Sequence, residues 1–270
     1  MMVATWRKVA ASVGREEGAV NPMEPNSVDG LWGRVQQLFL PSHCLLCAQD
    51  GDGRRDLCRP CARDLERNRT CCPRCALPLR TPAPLCGECL QREPPFDAAF
   101  APFLYGHPLD LLVAKLKFGR SLASGRVLSE LWLEAIAEQA PPLPDLLVPV
   151  PLHASRLRER GYNQALELAK PLSRALRIPL GGKSLSRTKA TAAQSNLDAR
   201  NRRRNLRGAF EFHAAALSAI AADVTHVALI DDVMTTGTTL RECTRVLKRA
   251  GIARVDVWAL ARSPAPRQRG

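Results

Sequence analysis

The sequence predicts an α/β fold: a mainly parallel sheet flanked by helices, preceded by a small cysteine-rich module. Three observations carry this expectation. From residue 93 to 262, apolar runs of strand length alternate with helical patterns, and such alternation implies parallel βαβ units. One run, "THVALIDD" at 225–232, is continuously apolar up to its acids, as strands buried on both faces are. Nine of the ten cysteines fall between Cys44 and Cys89, upstream of every one of these runs.

Four regions follow. Residues 1–40 read as a tail, with a short amphipathic helix expected at "GLWGRVQQLFL". Residues 41–92 are the cysteine block, 93–262 the α/β domain, and 263–270 a loose end. Within the domain, "DAAFAPFLY" (97–105) alternates like a strand. "LDLLVAKLKF" (109–118) has helical periodicity, and a second helix follows through "VLSELWLEAIAEQA". "DLLVPVP" (145–151) is a short buried strand closed by prolines. "NQALELAKPLSRAL" (163–176) is helical, with Pro171 expected to bend it. "TLRECTRVLKRAG" (239–251) is a helix with Gly251 suited to its C-terminal cap. "RVDVWALA" (254–261) is the last strand. "GGKS" (181–184) lacks the upstream glycine of a phosphate-binding P-loop, because position 177 is Arg177; it reads as a turn.

The cysteines form four Cys-x2-Cys knuckles: Cys44/Cys47, Cys58/Cys61, Cys72/Cys75 and Cys86/Cys89. A two-residue spacer lets both thiolates face one tetrahedral ion, so the block predicts two structural Zn2+ sites of four cysteines each. Equal ten-residue gaps within each couple favour two successive ribbons. Spacing alone leaves open an interleaved arrangement in which the first knuckle pairs with the third. Cys71 is spare, His43 reads as a flanking residue, and Cys243 lies on the apolar side of its helix.

"VALIDDVMTTGTTL" (227–240) puts Asp231 and Asp232 directly before the small-residue turn Thr235, Thr236, Gly237, Thr238 and Thr239. In open parallel sheets, ligands bind beyond the carboxyl ends of the strands. Backbone N–H groups of such a turn, with the positive end of the following helix, make a monophosphate cradle. The two acids would repel a phosphate, so they should meet hydrogen-bond donors such as vicinal ribose hydroxyls. The stretch is similar to the phosphoribosyl-pyrophosphate (PRPP) motif of type I phosphoribosyltransferases, and every position matches.

Two basic segments accompany it. "VPVPLHASRLRERGYNQA" (148–165) carries Arg156, Arg158 and Arg160 in alternation, read as a strand-end loop suited to pyrophosphate. "SRTKATAAQSNLDARNRRRNLRGAF" (186–210) is long and polar, the composition of a lid or binding loop. With the cysteine block, these segments resemble the ComF/GntX family of phosphoribosyltransferase-like proteins, over about residues 41–262. The resemblance implies a type I phosphoribosyltransferase fold, a zinc-binding head and a Mg2+–PRPP site. It assigns Asp231 and Asp232 to the ribose and its metal shell, and Thr235 to Thr239 to the 5-phosphate. Arg156, Arg158 or the basic loop would meet the pyrophosphate. The implied activity is phosphoribosyl transfer to an acceptor. The alternative, from another class, is a nucleic-acid-handling factor of DNA uptake that uses the fold as sensor or scaffold, with single-stranded DNA and competence-machinery proteins as partners.

Composition agrees with an anionic partner. The formal charge is +13; eight thiolates and two Zn2+ together add −4, leaving about +9. No run approaches the ~20 apolar residues of a membrane-spanning helix. "MMVATWRKVAASVGREEGAVNP" has no long apolar core, so a cytoplasmic location is expected. Aromatic residues are sparse near the motifs. Tyr105, Phe118, Tyr162 and Phe210 are the candidates for stacking on a base.

Overall fold

A computed structural model describes residues 42–53, 55–189, 208–221 and 223–264. The N-terminal tail with its expected helix, the arginine-rich stretch 190–207 and residues 265–270 lie outside the described residues. The elements of the α/β domain are β1 (Ala98–Phe100), β2 (Phe103–Leu104), α3 (Leu109–Lys117), α4 (Leu122–Gln139), β3 (Leu146–Pro149), α5 (Ala154–Arg160), α6 (Gln164–Leu176), β4 (Leu185–Arg187), β5 (Phe210–Phe212), α7 (Ala214–Ser218), β6 (His226–Met234), α8 (Thr238–Arg249) and β7 (Arg254–Arg262). Two short helices, α1 (Arg59–Arg63) and α2 (Gly87–Gln91), belong to the cysteine block.

The sheet is parallel throughout. Its order is β1-β7-β6-β3, with β2 also on β7. The expected strand 97–105 is therefore broken in two, yet both pieces keep one register: Ala98 faces Asp256 and Phe103 faces Ala261. The break falls at Pro102, which has no N–H to give to a ladder. Asn68 fills the gap, donating its backbone N–H to Pro102 and its side-chain amide to Ala101.

Alternate residues of the apolar strands face opposite layers, as a two-residue period requires. Ala228, Ile230, Trp258 and Leu260 pack with α3, α4 and α6. Val227, Leu229, Val257 and Ala259 pack with Leu240, Cys243 and Leu247 of α8 and with β5. Gly251, at φ +94, follows the last turn of α8, as its sequence position predicts. The span of α6 runs past Pro171 to Leu176.

Two differences from the sequence reading matter for function. The basic stretch at 154–160 is helical, not an extended loop, and His153 caps it by accepting from the Ser155 N–H. In a helix, residues two apart are rotated by roughly 200°. Arg156 and Arg160 thus share a face, and the exposed Arg158 lies on the other. The loop 186–210 is framed at its two ends by an antiparallel pair, β4 on β5.

Both cysteine ribbons are built into this body. Cys44, Leu57, Cys58 and Leu65 join the apolar cluster of α3 and α4, and Leu57 is fully buried. Arg55 reaches Glu130 at 3.1 Å and also pairs with Glu134, while Arg126 meets Asp56. Cys72, Cys75, Ala76, Cys86 and Cys89 pack in the opposite layer, with α8.

Candidate functional site

The eight knuckle cysteines form two groups. Cys44, Cys47, Cys58 and Cys61 bring their Sγ atoms within 4.8 Å of one another, as do Cys72, Cys75, Cys86 and Cys89. Tetrahedral ligation with Zn–S near 2.3 Å implies S···S separations of about 3.8 Å. Cys47 and Cys58 stand 3.7 Å apart, and Cys75 and Cys86 3.6 Å. The donor set fits zinc, and the grouping is sequential, which closes the interleaved alternative. Burial would raise the Cys44 thiol, but N–H groups of Cys58, Cys47 and Leu46 bring it down to about 6. At the second group the Cys86 N–H donates to Cys72 Sγ at 3.4 Å, and Cys72 is likewise lowered against its burial. Such N–H···S bonds favour the thiolate that a metal needs. His43 faces Asp50 rather than the cluster, and Cys243 is core.

The other site lies at the carboxyl end of β6. The strand continues two residues past the acids, to Met234. Asp232 is buried and Asp231 partly so. Burial, then the neighbouring Asp232 carboxylate, push Asp231 up to about 7, against the pull of Lys117. The turn leads to Gly237 at φ +67, the N-cap of α8. A Cβ there would lie 2.8 Å from Met234 Cε, and that backbone conformation disfavours any other residue. No side chain caps α8, so its first N–H groups are left for a ligand. Thr236 and Thr238 share a hydroxyl hydrogen bond of 2.9 Å.

One residue of this site escaped the sequence reading. Lys117, the last residue of α3, places Nζ 2.8 Å from Asp232 Oδ2. A lysine in the last turn of an amphipathic helix reads as ordinary dipole complementation, and nothing local links it to an acid 115 positions later. The end of α3 is pinned to the corner between α5 and α6. Tyr162 donates its hydroxyl to Leu116, Arg120 donates to the Glu159 carbonyl at 3.1 Å, and the Arg160 guanidinium stacks 5.3 Å from the Phe118 ring centre. Phe118 is 73% exposed.

The structure thus brings together Asp231, Asp232, Thr235 to Thr239 and Lys117. Of the predicted arginines, Arg156 lies near enough to Arg187 for their like charges to oppose, and Arg158 is exposed on the other face of α5. Beside the Thr235–Thr239 turn, a groove of about 1350 Å³ runs between α8 and the second ribbon, lined by Thr238, Arg92, Arg241, Arg245, Lys248 and Arg249 among others.

A double zinc ribbon domain model matches residues 35–90, and a phosphoribosyl transferase domain model matches residues 163–269. The DNA utilization protein YhgH of Escherichia coli O157:H7 is 40% identical over 182 residues, 66% of this chain and 78% of that protein. The chain belongs to the ComF/GntX family. Competence protein F of Haemophilus influenzae is 38% identical, and the Salmonella typhi YhgH 39%, each over the same 182 residues. Family membership accounts for the joint presence of a phosphoribosyltransferase-type sheet and paired cysteine clusters in one body. Among the described residues no helix is long and apolar enough to cross a membrane.

Proposed function

We propose that this ComF/GntX protein binds Mg2+–PRPP at the carboxyl end of β6. One observation carries the reading: an uncapped helix start, opened by a left-handed Gly237, follows two acids at the end of a buried parallel strand. The Thr235–Thr239 turn receives the 5-phosphate on N–H and hydroxyl donors. Asp231 and Asp232 accept hydrogen bonds from the ribose hydroxyls. Lys117 holds Asp232 in place and adds positive charge beside the anomeric carbon. Hard carboxylate oxygens also suit Mg2+, which when bound would supply charge neutralisation for the pyrophosphate. The exposed Phe118 ring, backed by Arg160, offers a stacking face for a base-like acceptor.

Calorimetry with PRPP in the presence and absence of Mg2+ tests this. Asp232→Ala should weaken Mg2+-dependent binding by roughly ten- to a hundredfold, the worth of a charge-assisted hydrogen bond. Wild-type affinity in both Asp231→Ala and Asp232→Ala places the ligand elsewhere.

A second reading, contact with single-stranded DNA, is favoured by the cationic groove along α8 and by the DNA-utilization and competence names of the relatives. Binding of this kind is salt-dependent, with a slope of roughly −0.7 in log K against log salt for each phosphate neutralised. Replacing Arg92, Arg245 and Arg249 by Ala should flatten that slope by roughly two units. Anisotropy titrations at several salt concentrations decide: an unchanged slope moves the contact off the groove, with Arg202, Arg203 and Arg204 the next triple to change.

A further inference from the structure

Arg262 is the last residue of β7 and only 5% exposed. Its Nη1 donates to the carbonyl oxygens of Met234 at 3.0 Å, Thr235 at 2.5 Å and Ser263 at 2.6 Å. Its Nε donates to the Cys75 carbonyl at 3.1 Å. One side chain thus joins the backbone entering the phosphate turn to the backbone of a cysteine in the second cluster. Four of its hydrogen bonds go to carbonyl oxygens, and among the described residues no carboxylate forms an ion pair with it.

A guanidinium stays charged in a protein, and a buried charge needs compensation. Carbonyl dipoles supply part of it. The Cys75 side chain acts on it most strongly, through its charge and a hydrogen bond, and Glu88 and Cys86 act through charge. A Zn2+ ion held by four thiolates carries a net charge of about −2, so the loaded second cluster is the counter-charge nearest to hand. The first cluster packs against α3 and α4, and among the described residues no side chain hydrogen-bonds both one of its cysteines and the Met234–Thr235 backbone.

We infer that Arg262 is a positioning residue that couples the second zinc cluster, and not the first, to the geometry of the turn at Met234 and Thr235. The metal at Cys72, Cys75, Cys86 and Cys89 then serves the ligand site as well as the ribbon. Losing it loosens Cys75, leaves Arg262 without its anchor and counter-charge, and frees the two carbonyls that set the start of the turn. The idea rests on the PRPP reading only for the ligand's name; the coupling itself needs no ligand.

The test uses the full chain purified with zinc, in five forms: wild type, Arg262→Gln, Arg262→Lys, Cys89→Ser and Cys47→Ser. Zinc content, amide hydrogen exchange and Mg2+–PRPP affinity are read on each. Exchange is followed without ligand in peptides spanning the ends of β6 and β7, where the Ser263 N–H donates to the Met234 carbonyl at 3.0 Å. Arg262→Gln should keep both zinc ions yet speed exchange there by roughly tenfold and weaken PRPP by a similar factor. Arg262→Lys, keeping the charge without the fork, should fall between it and wild type. Cys89→Ser should lose one zinc and reproduce the Arg262→Gln exchange pattern. Cys47→Ser should lose one zinc and speed exchange chiefly in α3 and α4, which pack on that ribbon, with clearly less acceleration at the β6 and β7 ends than Cys89→Ser gives.

Wild-type exchange in Arg262→Gln overturns the proposal. So does equal acceleration in Cys47→Ser and Cys89→Ser, which would be general destabilisation. If Cys89→Ser does not fold, graded removal of zinc from Arg262→Gln and wild type replaces it; loss of the second zinc should then accelerate exchange only in the wild type, and equal acceleration in both overturns the coupling. If wild type fails to bind PRPP while the exchange pattern holds, the ligand assignment falls and the coupling stands.

Discussion

Cys44→Ser will bind one zinc ion instead of two and will melt at a lower temperature by roughly 10 °C. The size follows from where the first ribbon sits. Cys44 and Cys58 belong to the same apolar cluster as Leu112, Leu116, Leu128 and Trp132 of α3 and α4, and Leu57 between the knuckles is fully buried. A ribbon on a free tether could unfold alone. This one would strip cover from the helical layer and break up the Arg55–Glu130 and Arg126–Asp56 pairs. Zinc holds isolated fingers with roughly 10–16 kcal/mol of apparent binding free energy, and one missing thiolate forfeits much of it. Partial structure left in the ribbon reduces the loss to on the order of 3–5 kcal/mol, and 1 kcal/mol is worth about 2–4 °C at this chain length. Elemental analysis and scanning calorimetry check it. Fewer than one zinc in wild type, with disulfides mapped instead, would sink the zinc assignment; a one-zinc variant melting with wild type would sink the argument from shared packing.

Asp231→Asn should make the protein more stable and a poorer binder of PRPP, with the stability gain growing as pH rises. Asp231 titrates from about 7, well above the 3.8 of an ordinary aspartate, because burial and Asp232 disfavour its charge. Between those two values the folded chain holds a proton that the unfolded chain has released, so this group's contribution to stability falls as pH climbs. It is intact below about 4 and fully lost above about 7. Asp97, Asp145 and Asp256 are shifted downward and act in the opposite sense, losing their contribution as pH falls. Asparagine keeps the shape and removes the charge. The difference between variant and wild type therefore isolates Asp231: small at pH 4, and on the order of 2–4 kcal/mol at pH 8. Denaturant unfolding at the two pH values measures it. A stability gap that does not widen between them would mean that Asp231 ionises normally, and with it would go the picture of a site that stores repulsion for a ligand to relieve.

What could be read from the chain beforehand is sorted by distance along it. The β6–turn–α8 unit was legible because its parts are adjacent: an apolar run, two acids, a small-residue turn with a glycine, and a helix with one apolar face. The knuckles were legible because a metal imposes its own spacing. The segment that carries Arg156, Arg158 and Arg160 reads as a loop but coils as a helix; histidine is not among the strong cap residues that would have announced it. Strands β4 and β5, of three residues each, are too short to show any period. Lys117 and Arg262 were invisible for one reason. Each is a basic residue at the end of an element, where solvent is the usual neighbour, and only the assembled sheet gives Lys117 an acid and Arg262 a cage of carbonyls.

The order of the strands also sets a timetable. β7 pairs with β6 on one side and with β1 and β2 on the other, yet it is the last of them to leave the ribosome. Arg262 emerges 187 residues after Cys75, a delay of roughly 10–40 s at ~5–20 residues per second. Once made, β1 and β2 have no ladder to join until β7 follows, and over the last 28 residues of the interval β6 shows an open apolar edge of the kind that invites pairing with another nascent chain. The cysteine ribbons are free to capture metal early in that interval. The Thr235–Thr239 turn is not: the carbonyls of Met234 and Thr235 wait for a single late arginine, so a truncated or stalled product could hold both zinc ions with that turn unset.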